Sequence, residues 1–141
     1  MKDIIDLLGR IFLSAIFLYD AYDSIYYFDR TKATMTEYGI TWQQDLLLVG
    51  AIFLLVTGGL MLLVGYRVTV ASILLLIYYI PITFILHSWW NDPVEIQREV
   101  AIHFMQNMAI AGGLMLLIGR GSGRYSIKRL FATTRVPRKY R

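Results

Sequence analysis

Apolar positions along this chain fall into four long runs separated by short polar stretches. The runs cover residues 7–28, 46–64, 68–86 and 100–118. Each approaches the roughly 20 residues that a helix needs to cross the hydrocarbon core of a bilayer. The pattern therefore predicts an all-α, polytopic membrane protein: four transmembrane helices in one bundle. Residues 1–119 form the transmembrane domain and residues 120–141 a basic tail. Between the first two runs, 31–38 has the length of one or two helical turns and ends at Gly39, a residue suited to closing a helix. Asn91-Asp92-Pro93 precedes the fourth run as a helix start, and 119–123 ends it.

One phrase occurs twice. Gly58-Gly59-Leu60-Met61-Leu62-Leu63-Val64-Gly65 returns as Gly112-Gly113-Leu114-Met115-Leu116-Leu117-Ile118-Gly119. Lipid supplies no hydrophobic drive between helices, so close backbone approach at small residues is one way they associate. Gly58, Gly59, Gly112 and Gly113 are therefore expected at packing contacts, either inside one bundle or between protomers.

Composition agrees with the pattern: 57% of the 141 residues are hydrophobic and only 17% are charged. A soluble domain of this length would need more polar surface. The first run carries Asp20 and Asp23 and lacks a small-x-small cleavage site, so it is expected to stay in the bundle rather than to be removed as a signal peptide. The chain has no cysteine, which leaves any redox role to a bound cofactor or a partner. Basic residues concentrate in the tail and around Lys2, Arg10 and Arg67, whereas the two opposite loops mix both signs. The positive-inside rule then places both termini in the cytoplasm of a multi-pass protein of the cell (inner) membrane.

This topology sorts the polar residues by depth. Asp20 and Asp23 sit three apart on one helical face in the outer half of the first run. His87 closes the third run; His103 and Asn107 share a face near the outer start of the fourth. Ionisable groups at membrane depth are costly and usually face the bundle interior. Asp20, Asp23, His87, His103, Asn107 and the neighbouring Tyr22 thus outline a candidate polar pocket in the outer leaflet, suited to a quinone head group, a proton or a metal. The competing reading is that these groups are wetted at the interface. No spacing matches a metal signature, so no metal is expected. Pro81 is expected to bend the third helix and free a carbonyl near Ile77. In the tail, Arg124, Lys128, Arg129, Arg135, Arg138 and Lys139 suit anionic lipid or a partner subunit; the cluster is too short and too close to the membrane for nucleic acid.

Several pieces in order resemble the DoxX family. They are Gly9-Arg10, Gly58-Gly59 with Gly65 and Arg67, 84–90 (FILHSWW), and 104–117 (FMQNMAIAGGLMLL) followed by Gly121-x-Gly123-Arg124-Tyr125-Ser126. The resemblance spans about residues 9 to 127. It implies a four-helix membrane fold and a link to membrane redox complexes, including thiosulfate:quinone oxidoreduction, with quinone as the implied cofactor. Family residues differ at Ala21 and Ser24, where a Gly-x-x-Lys is usual, at Leu55, and at Ile127-Lys128. The leading expectation is an accessory or assembly subunit of such a complex, in contact with lipid and with other membrane subunits or copies of itself. A quinone-reactive catalytic subunit and a small proton-coupled transporter are the alternatives.

Overall fold

The buried face of the first helix begins with charge. In α1 (Lys2–Tyr26) the fully covered positions are Arg10, Ser14, Phe17 and Ala21. They are spaced four, three and four apart, so they form one stripe down the helix. The structure, a computed structural model, describes residues 2–121 and 126. After α1 come α2 (Phe28–Glu37), α3 (Gln44–Val64), α4 (Val68–Leu86), a single 3-10 turn at Trp89–Asn91, and α5 (Val94–Arg120). Among the described residues there is no strand.

The helix boundaries follow local chemistry. Gly65, at φ +74°, ends α3: its N–H donates to the Leu62 carbonyl and the Tyr66 N–H donates to Met61. Gly39, at φ +80°, ends α2 in the same way, through Gly39 to Thr36 and Ile40 to Met35. Both are Schellman closures, which need a residue that tolerates the left-handed region. Gly121 closes α5 at φ +69°. Pro93 precedes α5 as anticipated, although the helix starts six residues before the apolar run. Pro81 lies inside α4, which continues unbroken through Leu86.

The core joins all four long helices. Phe17 and Ala21 of α1, Leu55 and Leu62 of α3, Leu75 and Tyr79 of α4, and Ala111 and Leu114 of α5 form one buried cluster. Three of the four paired glycines lie against a side chain of a neighbouring helix. A Cβ on Gly58 would lie 2.7 Å from the Leu75 side chain, one on Gly59 2.9 Å from Leu18, and one on Gly113 3.3 Å from Leu13. Gly112 differs: a Cβ there would meet nothing within 4 Å. The repeated phrase therefore packs with both glycines in α3 and with one in α5.

Outside this core, the helices expose large apolar side chains, among them Phe12, Phe53, Ile77, Met105 and Leu116. A hydrocarbon-facing surface accounts for such a coat. Among the described residues three segments are long and apolar enough to cross a membrane: Gln44–Val64, Val68–Asn91 and Val94–Arg120. α1 has 25 residues, but Asp3, Asp6, Arg10, Asp20 and Asp23 lower its hydropathy. The tail residues Arg124, Lys128, Arg129, Arg135, Arg138 and Lys139 lie outside the described residues.

Candidate functional site

The six polar residues singled out in the sequence settle into three groups at the α2 end of the bundle. The innermost group links α1, α4 and α5. The Tyr79 hydroxyl donates to Asn107 Oδ1 at 2.8 Å, and the Tyr79 ring meets Phe17 edge-on at 5.2 Å. Thr83, fully buried one turn further along α4, donates to the Tyr79 carbonyl. The half-buried Asp20 carboxyl is in electrostatic reach of both the Tyr78 and the Tyr79 phenols. Asp20 and Asn107 thus face a common interior, with two tyrosines between them.

The histidines form a second group. The His87 and His103 rings stand 6.0 Å apart, edge to face, and His103 Nδ1 lies 3.2 Å from Gln106 Oε1. His103 and Gln106 are exposed on the surface of the bundle. Among the described residues neither histidine forms an ion pair with Asp20 or Asp23, and no three His, Asp or Glu side chains gather as a metal-binding set.

Asp23 and Tyr22 make up the third group and point outward. Tyr22 is 60% exposed, stacked on Tyr26 with ring centroids 6.0 Å apart. Asp23 lines a polar cavity of about 470 Å³ with Tyr27, Arg30, Thr31 and Thr34. Although Asp20 and Asp23 are only three residues apart, α1 turns the first inward and the second to the surface.

A larger cavity lies beside this one. It has a volume of about 650 Å³, runs between α3 and α4, and is walled mainly by Leu46, Leu47, Phe53, Ile77, Pro81 and Ile85. Met35 and Thr31 of α2 and Ser24 of α1 close its end, and Tyr78 stands in its wall. α2 is pinned across the start of α3. Gln44 Nε2 donates to the Ile40 carbonyl at 2.6 Å and to Thr36 Oγ1 at 2.8 Å, while Lys32 pairs with Asp45. The hydrogen bond to Asp45 raises the Lys32 ammonium above the ordinary lysine value, against an opposing cost of desolvation, and the charges of Asp45 and Asp29 add to the rise. Burial, with the Asp92 carboxylate nearby, likewise raises the Tyr38 phenol.

The sequence presented Arg10 only as a topological charge and as part of the Gly9-Arg10 motif. Arg10 is fully buried, and its Nε lies 3.3 Å from Asp6 Oδ2. A Cβ on Gly65 would run into Arg10 Nη1 and stand 2.8 Å from Ser126 Cβ. Arg10 therefore occupies the point where α1, the α3–α4 turn and the chain after α5 meet. The available signal was the Asp6/Arg10 spacing of four, which places a charge pair on the face that also carries Ser14 and Phe17.

The sequence of the first three long helices can be set against known proteins. The DoxX family pattern matches residues 5–88, more than half of the chain. The chain belongs to the DoxX family. Inner membrane protein YqjF of Escherichia coli K12 is 28% identical over 130 residues, 92% of this chain and 94% of YqjF. Inner membrane protein YphA of the same organism is 24% identical over 128 residues, 91% of each. The Surfeit locus protein 4 homolog of Schizosaccharomyces pombe is 29% identical over 91 residues, 63% of this chain but 29% of that protein. No solved structure matches. This DoxX chain is a multi-pass protein of the cell membrane. Of the positions where it departs from the family resemblance, Ala21 is buried in the core, Leu55 packs in the same cluster, and Ser24 lines the large cavity.

Proposed function

We propose that this DoxX protein is an accessory subunit of a membrane redox complex, held to its partners by helix packing. α1 crosses as a fourth span, and both termini lie in the cytoplasm. The observation that carries the reading is the outer face of α5. Only 17% of its apolar window is buried in the bundle, against 39% for the α4 segment. That face combines the exposed amide of Gln106 with exposed Met105, Ala109 and Leu116, and Gly112 leaves open space beside them. Polar side chains facing hydrocarbon are costly when left without a hydrogen-bond partner. Against a partner helix the same groups become interhelical hydrogen bonds, and small residues let that helix approach. The redox assignment comes from the family resemblance. A catalytic quinone reading has less support, because the histidines and acids that would flank a head group are divided among three places.

The test is purification in mild detergent at native expression, with mass spectrometry of co-eluting proteins and optical spectra. Co-elution with cytochromes or a quinol-linked enzyme, lost in Ala109→Trp but kept in Phe53→Ala, is the expected result. A stable monomer with no partner in both the parent protein and the variants would overturn the proposal.

A further inference from the structure

The two cavities at the α2 end share one lining residue, Thr31, and differ completely in character. The larger is a hydrocarbon slot. Its wall is aliphatic and aromatic, with Gly50 and Ala51 leaving room along α3. Its 650 Å³ falls within the roughly 300–1,000 Å³ of small-molecule sites. The smaller is polar and carries one charge of each sign, Asp23 and Arg30, which line it without pairing to each other. An apolar slot beside a polar site with both signs of charge matches an amphiphile whose head group is a zwitterion.

We propose that these adjacent cavities form a binding site for a zwitterionic phospholipid carrying a primary ammonium, with an acyl chain between α3 and α4 and the head group over α2. The Arg30 guanidinium takes the phosphate, for which its fork of donors is suited. The Tyr27 hydroxyl supplies one further donor. Asp23 takes the ammonium. The threonines favour the same polarity. Thr31 and Thr34 spend their hydroxyl protons on the Tyr27 and Arg30 carbonyls one turn back, at 3.0 and 3.2 Å. Their oxygens therefore present lone pairs, which accept from an ammonium and repel a phosphate. A primary ammonium has three N–H donors for these acceptors; a choline head group has none.

A purely anionic lipid would satisfy Arg30 and leave Asp23 repelled. A quinone would fill the slot but carries no charge for either residue. Charge complementarity thus selects among the amphiphiles that the apolar slot alone would admit.

The test uses native mass spectrometry of the full chain released from nanodiscs containing equal amounts of dioleoyl phosphatidylethanolamine, phosphatidylcholine and phosphatidylglycerol, with decylubiquinone added. One phosphatidylethanolamine per chain, retained at least about fivefold over each competitor, is expected. Arg30→Glu and Asp23→Lys, both at exposed positions, should each abolish the preference. Gly50→Leu should remove the adduct itself, since a Cβ there meets nothing within 4 Å and the new side chain has the slot to fill. Circular dichroism and gel filtration verify folding of each variant. Preferential retention of phosphatidylglycerol or decylubiquinone, no retained adduct, or a preference unchanged in Arg30→Glu and Asp23→Lys would overturn the assignment. Loss of partners in Ala109→Trp tests the α5 face separately, so failure of one proposal leaves the other standing.

Discussion

At the residue scale, the duplicated glycine phrase offers a controlled comparison. The same substitution in the same octapeptide should have different effects because the neighbours differ. Gly58→Ala puts a methyl group 2.7 Å from Leu75, which is buried in the core. Overpacking of this kind costs about 1–3 kcal/mol, whereas Gly112→Ala should stay within about 0.5 kcal/mol. Reversible unfolding in mixed micelles measures both; equal effects would contradict the packing described for α3 and α5. The Tyr79 to Asn107 hydrogen bond invites a second comparison. Tyr79→Phe should cost about 1–2 kcal/mol, in line with interhelical hydrogen bonds in membranes, and Asn107→Leu combined with it should cost less than the sum of the two. A double-mutant cycle reads that coupling.

At the scale of elements, α2 is the piece held by polar contacts rather than by the core, as none of its residues is buried. Removing the Gln44 amide with Gln44→Ala should speed hydrogen exchange across 28–37 by about fivefold or more, on the ~1 kcal/mol scale of a net hydrogen bond, and leave α3 amides unchanged. The Lys32–Asp45 pair gives the same element a pH dependence. Because Asp45 raises the Lys32 value in the folded state, its contribution is fully present below the ordinary lysine value of 10.5 and fades as pH rises through the raised value. Trp42, exposed between α2 and α3, should therefore report a fluorescence change only in alkaline solution when Trp89 and Trp90 are replaced by Phe. The change should disappear in Lys32→Met. A transition at neutral pH would point to another group.

At the scale of the whole molecule, Arg10 fastens the far end of the bundle. Truncating one partner of a buried pair typically costs about 3–5 kcal/mol, because the other charge is left without compensation. Arg10→Met should therefore lower the unfolding midpoint strongly, and Arg10→Met with Asp6→Asn should recover part of the loss. If the double variant is no better than the single one, Asp6 is not the partner of Arg10 that matters.

The order of apolar runs already determined the class of this protein and the approximate position of its long helices. Crossing hydrocarbon demands about 20 apolar residues with every backbone group paired internally, a requirement written along the chain and needing no knowledge of neighbours. Helix ends were legible for the same reason: Gly39, Gly65 and Pro93 act through their own backbone geometry. The DoxX resemblance followed from motif order. Tertiary structure decided which side of each helix meets which neighbour. A spacing of three brings Asp20 and Asp23 to adjacent positions, yet the line between interior and surface passes between them, and only the placement of α4 against α1 draws it. Gly58 and Gly112 are likewise equivalent letters given different surroundings by Leu75 in one case and open space in the other. Arg10 looked like a topological signal because charge usually lies at membrane edges; the convergence of three chain segments on it makes it part of the core.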